Sequence, residues 1–319
     1  SGNEPQRPSV TYMPGSGRGI FAGGLNPGGN LSTMDLIHIS TLGNASDFGD
    51  LNVSSFARGA AGAASNTRGL IAGGGDDNDE KDHVSSIEFQ SLGNAADFGN
   101  LTAAAAYTCG TSSTTRSMRF GGDGAAPSGN SGVDVVDYGT IATAGNYADF
   151  GDLSVAKNGS AACASGTRAV AGGGIAGTAP DQSKLNVMEY FTIASTGDET
   201  DFGDLTVARS WMGAGSSSTR GLYVGGFAGA RSDVLDYITI ASAGDAQDFG
   251  DLTVAVFNTV GLSNSTRHVQ ALANASPGQL NTLDYVTIAS TGDAADFGDL
   301  TAVKQNPSPM SDNHGGLQA

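Results

Sequence analysis

The stretch that decides the fold is Asp-Phe-Gly-Asp-Leu at residues 201–205, because the chain contains six nearly identical copies of it. The other copies begin at residues 47, 97, 149, 248 and 296, and only the copy at 97 differs, with Asn100 in the fourth place. The spacings between successive copies are 50, 52, 52, 47 and 48 residues. Self-similarity at such a period indicates an array in which each repeat is one supersecondary unit.

A second marker recurs in step with the first. It is an arginine followed by a short apolar run and, in most copies, by two glycines. The six arginines are Arg18, Arg68, Arg116, Arg168, Arg220 and Arg267. Two markers in one register place nearly the whole chain of 319 residues in six repeats.

The fifth repeat shows what one unit contains. Four short segments, at 209–215, 220–226, 234–240 and 248–254, are separated by small and polar residues. Their β-branched, aromatic and glycine content is typical of strands, and no stretch has the 3.6-residue apolar period of a helix. Four strands in about 50 residues is the unit of a β-propeller blade. We therefore predict an all-β, six-bladed β-propeller with four antiparallel strands per blade.

The predicted propeller spans residues 1–303, and a tail or closing strand follows at 304–319. The expected blades are 6–52, 53–102, 103–154, 155–206, 207–253 and 254–303. Gln6 and Arg7 align with Ala208 and Arg209, so the N-terminal segment is expected to supply the first strand of blade 1. Lys304 also aligns with Arg209, and two segments therefore compete for one place. The tail closes the ring, docks on a neighbouring subunit to form an oligomer, or lies loose.

Three recurrent features resemble the kelch repeat. Glycine pairs end the second strands at 23–24, 73–74, 121–122, 173–174 and 225–226, and an acid followed by Tyr stands at 137–138, 189–190, 236–237 and 284–285. The position of the kelch Trp is taken by Phe48, Phe98, Phe150, Phe202, Phe249 and Phe297. The departures are Leu272-Ala273 for the glycines and Ser85-Ser86 and Asp35-Leu36 for the acid–aromatic pair.

The sequence of the repeats is also similar to that of kelch-like repeats in structural proteins of tailed bacteriophages, especially marine ones. The shared wording is Thr-Arg-Gly before an apolar residue and two glycines, Tyr-x-Thr-Ile-Ala-Ser-Thr-Gly-Asp, and Asp-Phe-Gly-Asp-Leu. This resemblance implies a virion or extracellular location, and a fibre, appendage or decoration domain that meets a host surface or neighbouring virion subunits.

The geometry of an antiparallel blade predicts a structural role for the repeated residues. Each phenylalanine is expected to fill the wedge between its own twisted sheet and the next one. The turn between strands one and two and the link between strands three and four lie on one face of an antiparallel blade. We therefore predict that the six arginines form ion pairs with the Asp-Phe-Gly-Asp carboxylates, within a blade or with its neighbour. The first aspartates of the motif are Asp47, Asp97, Asp149, Asp201, Asp248 and Asp296.

Calcium is the competing reading of these carboxylates, because hard cations bind clustered oxygens. The candidate ligand sets are Asp198, Asp201 and Asp204 in one blade and Asp245, Asp248 and Asp251 in the next. A ligand set copied into every blade is more typical of fold-determining turn chemistry, in which Asp side chains bind nearby backbone amides. We expect no resident metal or other cofactor.

Function is expected where the repeats differ, in the loops between strands two and three. These loops, at 25–33, 75–83, 123–132, 175–184, 227–232 and 274–279, should all emerge on the face opposite the arginines, and variable loops on a rigid scaffold commonly bind ligands. The second loop is strongly acidic, with Asp76, Asp77, Asp79, Glu80, Asp82 and His83. Two interpretations of this loop remain: a solvated acidic loop, or a site that binds a cation.

Composition and charge exclude several classes. The net charge of −17 argues against nucleic acid as a partner, because phosphate binding needs clustered Lys and Arg. No apolar run reaches the roughly 18 residues of a membrane span. Cys109 and Cys163 are expected to be buried thiols, although the sequence does not exclude a disulfide between them.

Catalytic constellations are not visible. The four histidines, His38, His83, His268 and His314, belong to no Ser/His/Asp or metal-binding pattern, and no carboxylate pair stands out from the repeats. Trp211 and the tyrosines are expected in the core. We therefore expect a non-enzymatic module that binds a host surface glycan or protein. The alternatives are a kelch-type protein–protein interaction adaptor and, third, a carbohydrate-active or oxidative enzyme.

Overall fold

Six four-stranded antiparallel sheets follow one another around a central channel, and the chain is a six-bladed β-propeller as predicted. The computed structural model describes residues 17–52, 58–76, 79–124, 132–177 and 181–318. The first strand of each sheet packs against the first strands of the two adjacent sheets, which closes the ring around the channel. The fourth strand of each sheet lies at the outside.

The blades have the following strands, from the channel outward. Blade 1 contains Ser308–Ser311, Arg18–Ala22, Thr33–His38 and Ser46–Asp50; blade 2 contains Ala61–Ala64, Arg68–Ala72, His83–Glu88 and Ala96–Asn100; blade 3 contains Cys109–Ser112, Arg116–Phe120, Val133–Thr140 and Ala148–Asn158. Blade 4 contains Ala161–Ala164, Arg168–Gly172, Val187–Thr192 and Thr200–Asp204; blade 5 contains Gly213–Ser216, Arg220–Val224, Ser232–Thr239 and Gln247–Val256; blade 6 contains Val260–Ser263, Arg267–Ala271, Thr282–Thr287 and Ala295–Asp299.

The remaining elements are short. Two-residue strands lie at Leu25–Asn26, Gly29–Asn30, Ala105–Ala106, Asp123–Gly124, Ile175–Ala176 and Ser183–Lys184, and a 3-10 turn lies at Gly315–Leu317. No helix in the described part of the chain is long and apolar enough to cross a membrane.

The C-terminal tail closes the ring. Ser308–Ser311 pairs with Arg18–Ala22 and forms the first strand of blade 1. Beyond this strand, the Asp312 carboxylate accepts the backbone N–H groups of Gly17 and Arg18, both at 2.9 Å. The sequence-based assignment of this strand to the segment that starts at Gln6 is therefore wrong, and that segment lies outside the described residues. Of the three predicted fates of the tail, closure within its own chain is the one observed.

Each motif phenylalanine lies in an apolar cluster shared by two adjacent blades. Phe150 of blade 3, for example, packs with Phe191 and Ile193 of blade 4, with ring centroids of the two phenylalanines 5.9 Å apart. The sixth cluster joins Phe297 of blade 6 to Ile37 of blade 1. All six rings are at most 4 % exposed. Burial of these rings supplies much of the hydrophobic free energy that holds the blades together.

The six arginines form a different contact from the predicted one. The guanidinium donates to a backbone carbonyl of the next blade, as Arg168 does to Ile240 O at 3.0 Å, and Arg267 closes the series by donating to Ile39 O of blade 1 at 2.9 Å. The other donor–acceptor pairs are Arg18–Phe89, Arg68–Ile141, Arg116–Ile193 and Arg220–Ile288.

The predicted ion pairs are therefore not formed by the five arginines from Arg68 to Arg267, although they lie on the expected face. The one of these five that meets a carboxylate is Arg68, and its partner is Glu88 rather than a motif aspartate. In blades 3 to 6 the guanidinium also lies over the third-strand tyrosine, for example 4.1 Å from the Tyr190 centroid. A planar cation that stacks on a ring while donating in its own plane satisfies both contacts.

The glycine of Asp-Phe-Gly-Asp is needed because the next blade approaches its backbone directly. Phe249 O accepts from Gly292 N at 2.8 Å, Asp251 O accepts from Ala294 N at 2.8 Å, and the Asp293 side chain accepts from Asp251 N at 3.2 Å. Between these bonds stands Gly250, with φ 146° and with the position of a Cβ only 2.6 Å from the carbonyl of Gly292. The same contact recurs at all six interfaces. We call it the outer latch.

Removing the closing strand should destabilise the whole ring. A chain ending at Pro307 loses Ser308–Ser311, including buried Met310, and we expect its unfolding free energy to fall by at least about 3 kcal/mol, the scale of deleting one buried Met side chain. Urea unfolding followed by tryptophan fluorescence measures the change. A chain ending at Asp312 keeps the strand and is the control; equal loss of stability in both would contradict closure by this strand.

The outer latch should discriminate between two glycines. Gly250→Ala places a methyl group against the Gly292 backbone at a positive φ, so we expect a loss of more than about 1 kcal/mol. Gly145→Ala is the control, because this glycine occupies in blade 3 the position that Gly292 has in blade 6, with open space around its Cβ position and without a positive φ. Melting temperatures of the two variants check the prediction, and a stable Gly250→Ala protein would refute it.

Candidate functional site

The loops between strands two and three emerge on one face together with the links that join successive blades. Short bridges pair a link with a loop, as Arg58 with Gly75, Ser210 with Phe227 and Phe257 with Asn274. We call this side the loop face, and the opposite side, with the arginines and the outer latches, the rim face. Residues 77–78, 125–131 and 178–180 of the predicted loops, including Asp77, lie outside the described residues.

The channel mouth on the loop face is a ring of six residues with positive φ, one from each link. They are Gly59, Tyr107, Gly159, Trp211, Asn258 and Asn306. Six backbone hydrogen bonds of 2.7 to 3.4 Å join neighbouring links around this ring. A positive φ is unusual for bulky aromatic residues, and such strain persists only where the surrounding structure imposes it. The ring therefore holds Tyr107 and Trp211 at the mouth.

Below the mouth lies a cavity of about 110 Å³, lined mainly by the small residues of the six first strands. The tail covers the opposite end, where the backbone of Gly316 lies against that of Ser112 and Gly315 lies against Ala164 and Ser217. His314 in this tail contacts Ser112 Oγ at 3.0 Å. Burial lowers the pKa of His314 to about 4, so its imidazole is neutral at pH 7.

Trp211 belongs to an aromatic cluster on the loop face rather than to the core, which corrects the expectation drawn from the sequence. Its ring centroid lies 6.1 Å from that of Phe227 and 6.3 Å from that of Phe257, and these two rings are 5.4 Å apart. All three side chains are partly exposed. Two cations lie over the cluster, Lys184 at 5.0 Å from the Phe227 centroid and Arg231 at 5.3 Å from that of Phe257.

The positive charges of this acidic chain are divided between structure and loop face. Six of the described cations are the rim arginines, and four are buried in ion pairs: Arg119, Lys157, Arg209 and Lys304. The other four described cations are Arg58, Lys81, Lys184 and Arg231, and each stands in a link or loop of the loop face. Cations without a role in blade packing are therefore concentrated on one face.

The acidic second loop is partly neutralised from within. Lys81 Nζ lies 3.3 Å from Asp79 and 3.8 Å from Asp76, and Asp76 also accepts the backbone N–H of Asp79 at 3.0 Å. His83 turns away to Asp97, with Nδ1 3.4 Å from the carboxylate. Glu80 and Asp82 are the remaining candidate residues of this loop.

Two of the six calcium candidates accept backbone N–H groups in the outer latches. Asp198 accepts from Asp152 N at 3.3 Å, and Asp245 accepts from Asp204 N at 3.1 Å. Within the described ranges, no group of three or more His, Cys, Asp or Glu side chains is arranged to hold a metal ion.

Buried ion pairs, which the sequence analysis missed, join the third strands to the links. Lys157, Arg209 and Lys304 each stand four residues after the motif leucine, and they pair with Glu189, Asp236 and Asp35. This repeated spacing of a basic residue was the available signal. In blade 3 the link has no cation, and Arg119 of the second strand pairs with Asp137 instead.

Blade 6 keeps the buried acid without a cation. Asp284 is fully buried and accepts from Thr253 N and Oγ1 at 2.9 and 2.7 Å, while Val256 occupies the cation position of the link. Its other oxygen, Oδ1, has no hydrogen-bond partner in the described part of the chain. Burial raises the pKa of this carboxyl, because the charged form loses hydration.

The two cysteines are free and buried, as expected. Burial raises the pKa of the Cys109 thiol to about 11 and that of Cys163 to about 12, which keeps both protonated at pH 7.

Two buried aspartates should respond oppositely to neutralisation. Asp284→Asn removes an unpaired charge and should raise stability at pH 7, whereas Asp236→Asn leaves Arg209 buried without its ion partner and should cost about 3–5 kcal/mol. Because the folded pKa of Asp284 is raised, its penalty appears as the pH rises through that pKa and is absent below about 3.8. Urea titrations at pH 7 and pH 3.5 measure both effects; a destabilised Asp284→Asn protein at pH 7 would contradict this assignment.

Comparison with known proteins adds no family to this picture. No protein-family model matches the chain, and neither does the sequence of any curated protein. The six-bladed fold is consistent with a kelch-like propeller, and no family match supports the kelch resemblance of the repeats.

Proposed function

We propose that the chain is a non-enzymatic binding module that contacts its ligand through the loop face. The observation that carries the proposal is the aromatic cluster of Trp211, Phe227 and Phe257. Partly exposed aromatic rings beside cations are typical of recognition surfaces, in which Trp, Tyr and Arg supply most of the binding energy. In this proposal the site needs no cofactor and performs no catalysis.

The scaffold suits this use because its two faces have different constraints. On the rim face, the arginines and the outer latches repeat in every blade. On the loop face, loops of different length and composition stand on the same rigid ring, and the links around blade 5 combine with its loop into an aromatic cluster. Variable loops on a rigid support are commonly sites of binding.

The biological setting within the proposal is a phage particle. The chain serves as a fibre, appendage or decoration domain, and the ligand is a glycan or protein of the host surface. The repeat wording that resembles phage structural proteins supports this setting. A gene for a tail or capsid protein beside the coding gene would agree with it, and a neighbourhood of metabolic genes alone would count against it.

Substitutions on the two faces should separate the binding surface from the scaffold. We expect the double variant Phe227→Ala, Phe257→Ala to lose at least tenfold in adsorption to host cells or in signal on a glycan array, because the aromatic contact area is removed. The control is the double variant Leu42→Ser, Leu92→Ser. It changes two exposed apolar residues, 56 % and 65 % accessible, between strands three and four on the rim face. Retained binding in the first variant and loss in the second would assign binding to the rim face and end the proposal.

A further inference from the structure

We infer that the ligand of the aromatic cluster is an acidic saccharide whose carboxylate pairs with Lys184 or Arg231, an inference that rests on the proposed function above. Lys184, Phe227, Phe257 and Arg231 form a continuous series, in which consecutive charge-to-centroid and centroid-to-centroid distances are 5.0, 5.4 and 5.3 Å. The two charges therefore flank one apolar platform.

Both cations keep donors for a ligand. Among the described residues, Lys184 Nζ has neither a hydrogen-bond partner nor an ion-pair partner, and it lies over the Phe227 ring. Arg231 donates from Nε and Nη2 to the backbone and side-chain oxygens of Asn274, at 3.1 and 3.0 Å, and forms no ion pair with a described carboxylate. Asn274 thus orients the guanidinium, and no described carboxylate neutralises its charge.

Two cations without a described carboxylate partner are unexpected in this chain. It carries 32 acidic residues against 15 basic ones, and four other cations are buried in ion pairs. The loop 227–232, which holds Phe227 and Arg231, and the loop 274–279, whose Asn274 accepts from Arg231, include no acidic residue. The loop 175–184, which holds Lys184, includes the exposed Asp181. Repulsion from the acidic surface elsewhere would direct an anionic ligand to this patch.

The platform between the charges favours a sugar ring as the carrier of the anion. Ligand sites combine aromatic and apolar walls with a few polar groups that fix orientation. Here the walls are Trp211, Phe227 and Phe257, and the neighbouring mouth residue Asn258 shares a hydrogen bond of 3.2 Å with Gln305. A pyranose has an apolar face, hydroxyl groups at its edge and, in a uronic or sialic acid, one carboxylate. These three features match the rings, the amides and the cations.

A glycan array carrying uronate and sialate oligosaccharides, each with its carboxyl-reduced counterpart, tests the inference. We expect the wild-type chain to bind at least one acidic glycan, to bind its reduced counterpart at least tenfold more weakly, and to lose affinity as salt is raised. The double variant Lys184→Gln, Arg231→Gln should lose at least tenfold in affinity for that glycan. Lys81→Gln is the matched control, because this loop-face lysine already has acidic partners, and it should bind like the wild type.

The outcomes separate this inference from the function beneath it. Equal binding of an acidic glycan and its reduced form, or no loss in the double variant, would overturn the charge pairing, while the loss in Phe227→Ala, Phe257→Ala would still support the loop face. A polyglutamate peptide that binds through the two cations while no acidic glycan binds would overturn the saccharide assignment. Loss of binding in the rim-face variant alone would overturn both.

Discussion

The ring depends on the outer latch, in which each Asp-Phe-Gly-Asp strand hydrogen-bonds with the Gly-Asn or Gly-Asp turn of the next blade. At Gly250 the two backbones approach so closely that no side chain fits. The approach brings Phe249 against the next sheet, where burial of the ring stabilises the interface. Because each blade both donates and receives this contact, removal of any one blade exposes two apolar clusters at once.

The buried acids of the third strands show how far the repeats can vary. Three blades neutralise the acid with a cation from the link, and blade 3 uses Arg119 from the second strand. The physical requirement is a counter-charge near a buried carboxylate, and two backbone positions can meet it. In blade 6 neither position carries a cation, and Asp284 accepts hydrogen bonds from Thr253 alone among the described residues. Sequence periodicity is thus weaker where geometry allows more than one solution.

The loop face differs from the rest of the molecule in the contacts of two of its cations. The rim arginines and the buried cations are committed to carbonyls of the next blade or to carboxylates, while Lys184 and Arg231 lie over aromatic rings and form no ion pair with a described carboxylate. This division also bears on how so acidic a chain meets a negatively charged partner. The overall charge of −17 repels polyanions in general, and a local pair of cations admits a small anionic group at one place.

The sequence by itself determined the blade number, the four-strand unit and the burial of the phenylalanines, because each is a local pattern copied six times. Tertiary structure decided the partners. The arginines donate to carbonyls of the next blade rather than to Asp, since a guanidinium suits either acceptor and only the stagger between blades selects one. It also placed Ser308–Ser311 beside Arg18–Ala22 and gathered Lys184, Trp211, Phe227 and Phe257 from three blades. Such contacts form only when separate blades pack together, and no spacing along the chain encodes them.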